Sequence, residues 1–305
     1  MRSWWTAAAT AGLLALAACG GDGQQPQGAP PPTTEARSTT GAAPTSTTSR
    51  PGTATSATVT NPPWTSHRST AVPTTRPTNT AQPPATTAHP APTLPAGLRG
   101  TVLTRLPATS RVVALTFDGG AGAQGAASIL ATLRREGVPA SFFVTGMFAT
   151  ANPSTTRALA ALGPVGNHSW GHADLTTLSA SGVGQDLART HSAIVSAAGQ
   201  DPHPFFRFPY GAYDSRTLGL VNGAGYGAIG WTTDSLGWKG TSGGMSVDAV
   251  VARVLAARVP GQIVLMHLGA NPDDGTTLDA AALPRVIAGY RAHGYSFTTL
   301  AWLLG

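Results

Sequence analysis

Short apolar runs alternate with helical segments throughout the C-terminal two thirds of the chain. Residues 112–117 form an apolar run typical of a buried strand, and residues 124–136 follow with Ile129, Leu130 and Leu133 on one helical face before Gly137. The same order repeats to the end of the chain. Strands that alternate with helices in this way predict a parallel sheet, either closed as a barrel or open.

The repeat predicts further elements of both kinds. The expected strands are 141–145, 164–167, 205–208, 227–231 and 263–266, and the expected helices are 155–162, 179–198, 215–221, 247–259 and 279–293. Ser179 and Gly199 are suited to cap the long helix between them. The carboxyl ends of parallel strands are where sites form in such folds.

Composition divides the chain at about residue 109. Residues 20–109 are dominated by Thr, Pro, Ser, Ala and Gly, which cannot bury enough apolar surface to offset the entropy of ordering. We therefore expect a disordered linker over 20–109 and one folded domain over 110–305. A flexible linker of this length reaches roughly 50 Å, and O-glycosylation would stiffen it.

The net charge of +6 does not indicate nucleic-acid binding. Six arginines and only two acids lie between residues 20 and 109, whereas the remainder after 109 is close to neutral. Scattered linker arginines without interleaved aromatic residues make a poor footprint for nucleic acid. No nucleic-acid partner is expected.

The single cysteine, Cys19, ends an apolar run of about twelve residues behind Arg2. The sequence Leu-Ala-Ala-Cys matches the lipobox of bacterial lipoproteins, which favours residues 1–19 as a signal peptide and Cys19 as a lipidated residue. An ordinary signal peptide, with a secreted product, is the alternative. The run is short for a membrane span, and one cysteine forms no disulfide within the chain.

Polar residues follow several of the predicted strands. Asp118 comes after the first strand, and Arg207 and His267 come at the ends of two later ones. Asp118 is placed either to cap a turn or to act as a general base, and Arg207 either faces water or binds a carboxylate. His267 is either a core histidine or a general acid.

His168 and His172 lie four residues apart in a segment whose Asn, Ser and Gly residues predict a tight loop. Such a pair is either a hydrogen-bonded surface pair or half of a metal site, because neutral imidazoles are ordinary zinc ligands. A zinc site needs at least one further ligand.

Five segments in this order resemble the polysaccharide deacetylases of carbohydrate esterase family 4, which carry the NodB-homology domain. They are Thr-Phe-Asp-Gly-Gly (116–120), Asn-His-Ser-Trp-Gly-His (167–172), Arg-Phe-Pro-Tyr-Gly (207–211), Trp-Thr-Thr-Asp-Ser (231–235) and Leu-Met-His (265–267). The resemblance covers the region from about Arg111 to the end. It implies a distorted (β/α) barrel that removes N-acetyl groups from sugars with a divalent metal such as zinc, cobalt or manganese.

The resemblance also assigns roles to individual residues. Asp118 matches the base, His267 the acid, and His168 and His172 the metal ligands. Arg207 would orient Asp118, and the backbone amide of Tyr210 would help to hold the oxyanion.

The chain departs from the family pattern at two glycines. Gly119 replaces a second aspartate that binds metal in the family, which places metal use in question, and Asp174 is a candidate substitute. Gly237, before Trp238, replaces the aspartate that tunes the acid histidine, which leaves Asp234 upstream as the remaining acid of that segment.

The leading reading is a monomeric, membrane-anchored deacetylase outside the cell membrane, acting on a wall polysaccharide that contains N-acetylglucosamine, with peptidoglycan as first candidate. Two alternatives remain: an O-acetyl polysaccharide esterase using the same site, and an inactive protein that binds wall glycan. Retention of both a base and an acid favours the enzymes.

Overall fold

The computed structural model of the protein describes residues 94–120 and 122–305. Parallel strands form one sheet, and helices cover its outer face. The strands are β1 (Val102–Leu103), β2 (Val112–Gly119), β3 (Ser141–Val144), β4 (Val165–Asn167), β5 (Phe205–Phe206), β6 (Gly227–Ile229), β7 (Thr233–Asp234), β8 (Gln262–His267) and β9 (Ser296–Thr298). The helices are α1 (Ala126–Glu136), α2 (Gly146–Ala151), α3 (Pro153–Ala160), α4 (Ala180–Ala198), α5 (Ser215–Gly223), α6 (Val247–Ala256) and α7 (Leu278–Ala292).

The strands follow the order β1-β6-β5-β4-β3-β2-β8-β7, and β9 lies beside the start of β2. All of these strand pairs are parallel. Among the described residues no strand pair joins β7 to β1, and a hydrogen bond from Thr232 Oγ1 to Thr104 O spans part of that gap. The fold is an open, distorted (β/α) barrel, which confirms the fold class expected from the sequence.

The folded domain begins earlier than the predicted residue 110. Leu98 and Leu106 are each 1% exposed, and Val102 of β1 pairs with Ala228 of β6. The predicted boundary at 110 was therefore wrong. Leu98 and Leu106 stand singly among Pro, Gly and Thr and show no periodicity, although each is buried in the core. Cys19 and the predicted linker up to residue 93 lie outside the described residues.

Predicted capping residues bound helices α1 and α4. Ser179 accepts a hydrogen bond from the Gly182 N–H at 3.1 Å, and Gly137 and Gly199 close α1 and α4 in left-handed conformations. Helix α2 was missed because its six residues are too few to show a helical period.

The core lies mainly between the central strands and the helices that cover them. Ile129 and Leu133 of α1 and Leu283 and Ile287 of α7 are fully buried against this sheet, and burying such a side chain contributes about 1.5–3 kcal/mol. This packing fixes the strands, and thereby the residues at their carboxyl ends. Across residues 94–120 and 122–305, no helix combines the length and apolar character needed to cross a membrane.

Candidate active site

Asp118 and His267 lie side by side at the carboxyl ends of two neighbouring strands. Their Cα atoms are partners in the parallel register of β2 and β8, and paired strands lie about 4.8 Å apart. Asp118 is buried, while a quarter of the His267 side chain remains exposed. The fold thus brings together a carboxylate and an imidazole that are 149 residues apart in the sequence.

Arg207 fixes the Asp118 carboxylate. Its Nη1 donates to Asp118 Oδ1 at 2.7 Å and to Thr116 Oγ1 at 2.9 Å. Its Nε and Nη2 donate to the carbonyls of Ile229 and Gly230 at 3.2 and 3.0 Å. The side chain is fully buried, so the two opposite charges compensate each other inside the barrel. Arg207 therefore holds Asp118 in one orientation, as the resemblance implies.

His168 presents one ring nitrogen to Asp118. Its Nδ1 lies 2.8 Å from the Arg207 carbonyl oxygen, so Nδ1 carries the hydrogen. Its Nε2 lies 3.4 Å from Asp118 Oδ2. Burial lowers the pKa of His168 below its usual range, although the Asp118 charge opposes that effect. A neutral ring therefore directs a lone pair toward a carboxylate oxygen, an arrangement that suits a cation.

His172 completes the predicted histidine pair. Its ring centroid lies 4.8 Å from that of His168 and 4.5 Å from that of Tyr210. Burial, and secondarily the neighbouring His168, lowers the pKa of His172 to about 4. Two neutral imidazoles beside a carboxylate match the donors that zinc prefers, so these residues fit a divalent cation.

Neither Gly119 nor Asp174 adds a carboxylate to this pair. A Cβ at Gly119 would lie 3.2 Å from Leu268 Cδ1 and 3.2 Å from Phe148 Cδ2, so its surroundings are apolar. Asp174 Oδ1 accepts hydrogen bonds from the N–H and hydroxyl of Thr176 at 2.9 and 2.7 Å. Asp174 thus caps a local turn, and it forms no three-residue ligand cluster with His168 and His172 in the described part of the chain.

Tyr210 has a left-handed backbone, with φ of 59°. Within residues 94–120 and 122–305 its N–H has no hydrogen-bond acceptor, so this donor is available to a substrate oxygen. Its ring is 72% exposed beside His172. The position of Tyr210 is thus compatible with the oxyanion role implied by the resemblance.

Asp234 does not hydrogen-bond to the acid histidine. Its Oδ1 accepts from the Leu236 N–H at 2.9 Å and its Oδ2 from Trp238 Nε1 at 3.2 Å. Asp234 therefore shapes the loop after β7, and its charge acts on His267 only at a distance. A catalytic role for Asp234, the remaining acid of its segment, stays a prediction.

The partner of His267 is Asp279, which the sequence analysis missed. Asp279 Oδ2 lies 3.3 Å from His267 Nδ1 and accepts the His267 backbone N–H at 2.8 Å. Asp279 lies in the first turn of α7, where an acid ordinarily indicates only a favourable helix dipole interaction. A weak signal existed, because this acid stands between Leu278 and Ala280 near the start of a buried face.

A second group of ligand-type side chains lies elsewhere in the described region. His191, Asp201 and His203 hold their ligand atoms within 4.8 Å of one another. His203 Nδ1 lies 2.8 Å from Asp201 Oδ1, and its Nε2 lies 3.1 Å from the Ala224 carbonyl. These contacts form a hydrogen-bonded group at the α4–β5 connection.

A barrel whose strand ends present a buried Asp–Arg pair, a neighbouring histidine–aspartate pair and two neutral imidazoles defines a hydrolase-type site. The sequence profile of polysaccharide deacetylases matches residues 105–229. The chain is 33% identical over 196 residues to a chitooligosaccharide deacetylase from Sinorhizobium fredii, covering 62% of this chain and 89% of the relative. The chain belongs to the polysaccharide deacetylase family.

Two further relatives are informative. The peptidoglycan-N-acetylglucosamine deacetylase PgdA of Listeria monocytogenes is 34% identical over 198 residues, which are 65% of this chain. The chain spans only 40% of the length of that relative. The crystal structure of a family 4 pseudoenzyme from Bacillus anthracis aligns with a TM-score of 0.61 and 27% identity, covering 68% of this chain and 69% of that one. A mutant of the same protein is described as having restored enzymatic activity.

Proposed function

We propose that the protein is a metal-assisted deacetylase that removes N-acetyl groups from a polysaccharide containing N-acetylglucosamine, with peptidoglycan as the first candidate. The observation that carries this proposal is the register of β2 and β8, which aligns Asp118 with His267. A base and an acid at neighbouring strand ends are what amide hydrolysis requires.

Each residue has a place in the reaction. Asp118, held by Arg207, takes a proton from the attacking water, whose oxygen bonds to the acyl carbon. The Tyr210 N–H donates to the resulting oxyanion. His267 gives a proton from Nε2 to the sugar nitrogen as the carbon–nitrogen bond breaks, because its Nδ1 is held by Asp279. Acetate and a free amino sugar are the products.

His168 and His172 are the residues that would hold the divalent ion. Such an ion, when bound, polarises the amide carbonyl and lowers the pKa of a bound water. Position 119 is a glycine in apolar surroundings, so it gives the histidine pair no carboxylate ligand. We therefore propose that this site binds metal more weakly than a site with that ligand would. Zinc, cobalt and manganese are the ions to test.

The proposed location is the outer face of a bacterial cell membrane. It is supported by the Leu-Ala-Ala-Cys sequence, which ends at the proposed lipidation site Cys19, and by the composition of residues 20–93. A lipid on Cys19 followed by a long tether would hold the domain near the wall. We propose that the enzyme acts there as a monomer.

The deciding experiment measures acetate release by the full 305-residue chain from peptidoglycan and from N-acetylglucosamine oligomers. It is run with zinc, cobalt or manganese and with chelator, beside Asp118→Asn and the exposed-acid control Asp248→Asn. The proposal predicts metal-stimulated release that Asp118→Asn abolishes and the control keeps. Release from O-acetylated but not N-acetylated glycan would instead identify an esterase.

One observation favours a second function, an inactive protein that binds wall glycan. Gly119 supplies no second carboxylate beside Asp118, whose Oδ1 is bound by Arg207, and one structural neighbour is described as a pseudoenzyme. Glycan binding by a folded protein with no release under any metal would select this second function.

A further inference from the structure

One carboxylate oxygen of Asp279 contacts both the backbone N–H and the ring Nδ1 of His267. Its Oδ2 accepts the backbone N–H of His267 at 2.8 Å and lies 3.3 Å from His267 Nδ1. The carboxylate is 3% exposed. Because Nδ1–H is directed at Asp279, Nε2 is the only ring nitrogen of His267 left to face a substrate.

The charge of Asp279 also acts on this ring. Burial alone would lower the pKa of His267, but the hydrogen bond and charge of Asp279, together with the charges of Asp118 and Asp234, outweigh it, and the pKa is raised. Asp118 on β2 and Asp234 on β7 act in the same direction, while His168 and His172 are the other titratable groups nearby. Asp279 therefore favours the protonated acid.

The second oxygen of Asp279 indicates a functional role. Oδ1 is buried and has no hydrogen-bond partner in the described part of the chain. A buried polar atom without a hydrogen-bond partner is destabilising. A carboxylate kept at that cost is poorly explained by stability alone.

Gly237 makes room for the carboxylate. A Cβ built on Gly237 would lie 2.3 Å from Asp279 Oδ1, 2.5 Å from Cγ and 2.9 Å from Oδ2. These distances are below van der Waals contact, so Asp279 in its present position excludes a side chain at 237. Conversely, a carboxylate attached at 237 would occupy the volume that Asp279 now fills.

We propose that Asp279 is the positioning residue for the acid His267, and that positions 237 and 279 are alternative origins for one carboxylate beside that ring. The proposal rests on the proposed function insofar as His267 acts as an acid. Asp279 has no direct contact with the reacting atoms in this scheme. It acts by fixing the ring, its tautomer and its charge.

The test compares the wild-type full chain with Asp279→Ala, Asp279→Asn, Gly237→Asp and the double variant Gly237→Asp/Asp279→Ala. Asp248→Ala is the matched control, since Asp248 is an acid in the first turn of α6 but far more exposed. We expect Asp279→Ala to lower kcat about 100-fold with KM changed less than about threefold. The control should change neither.

The remaining variants separate positioning from structural support. Asp279→Asn keeps an acceptor but loses the charge, so the alkaline limb of its kcat profile should move to lower pH. Gly237→Asp alone should lower Tm through the clash, and in the double variant it should restore kcat at least about tenfold over Asp279→Ala. Unchanged kcat in Asp279→Ala, or a folded double variant without recovery, would overturn the proposal.

A readout independent of turnover distinguishes this idea from the proposed function. NMR titration of ¹³C-labelled histidines, with the His267 signal assigned by His267→Gln, should show a lower pKa in Asp279→Asn and a recovered one in the double variant. If the wild type releases no acetate but these pKa changes occur, the proposed function fails and the pairing stands. Absent pKa changes in an active enzyme would refute the pairing alone.

Discussion

The two halves of the site differ in how completely their residues are held. On the acid–base half, Asp118 is fixed by a fully buried arginine with four hydrogen bonds, and His267 is held by Asp279. On the ligand half, His168 contacts the Arg207 carbonyl and Asp118, while His172 makes only ring contacts with His168 and Tyr210, and Gly119 supplies no carboxylate. The chain has kept the proton-transfer geometry while losing a carboxylate near the proposed metal.

The two halves of the site are supported by different parts of the fold. Proton transfer depends on residues placed by the register of two central strands, which the whole core supports. Metal binding depends on a loop after β4, in which Ser169 and His172 both have positive φ. The first half should tolerate little change, and the second should be adjustable.

The largest expected effect comes from breaking the rigid half at Arg207. Arg207→Met leaves the buried Asp118 charge without its partner, which should reduce the free energy of unfolding by about 3–5 kcal/mol. Activity should also disappear, because Asp118 loses its orientation. Denaturant unfolding and acetate release measure the two effects, with the exposed Arg285→Met as control. A stable, active Arg207→Met would mean that Asp118 is held by other contacts.

Next in size is the removal of the ligand half. His168→Ala and His172→Ala should each lower kcat/KM roughly 10²–10³-fold, as expected for loss of an electrostatic stabiliser, and chelator should have a similar effect. His191→Ala is the control, because His191 belongs to the other histidine–aspartate group. If chelator inactivates the enzyme while only His191→Ala reduces metal binding, the metal is held by the group that contains His191 and not by His168 and His172.

A smaller effect, in the opposite direction, is expected when a carboxylate is added at position 119. Gly119→Asp restores the carboxylate that the family resemblance assigns as a metal ligand, and we expect zinc affinity to rise about tenfold or more, since even outer-shell partners alter metal affinity by that much. The Cβ contacts at 3.2 Å should cost about 1 kcal/mol or more of stability. Gly184→Asp is the control, because Gly184 is exposed in α4 and a Cβ there meets nothing within 4 Å. Equal affinity changes in both variants would indicate a general charge effect.

The sequence predicted the main residues of the acid–base half, but not the residue that holds His267. Asp118, Arg207 and His267 were identifiable because each follows an apolar run, and parallel strands bring such positions to one rim. Asp279 was not, since it lies on a helix whose start is brought beside β8 only by the packing of α7. Asp234 belongs to a segment that resembles the family, but such a match does not fix distance across a barrel, and Asp279, which lies outside the five segments, is the acid that contacts His267.

The N-terminal boundary failed for a related reason. Leu98 and Leu106 enter the core one at a time from a segment rich in proline and glycine, so no period marks them. Composition alone therefore does not locate the start of the folded domain. Strand β1 has only two residues, and its pairing with β6 depends on the finished barrel edge.

The smallest expected effect is a difference in pH dependence between the halves, measured on metal-free protein. The pKa of His172 falls to about 4 on folding, from a usual value near 6.5. Between those values the unfolded chain binds a proton that the folded chain resists, so stability declines as the pH falls from about 6.5 toward 4. His267, whose pKa is raised, contributes stability below its usual pKa that is lost as the pH rises through its folded value. In chelator-treated samples, His172→Gln should therefore flatten the decline in Tm between about pH 6.5 and 4. His267→Gln should instead remove the gain in Tm that accompanies a fall in pH through the folded pKa of His267 to about 6.5. Parallel shifts in both variants would show that the two halves do not respond to protons in opposite directions.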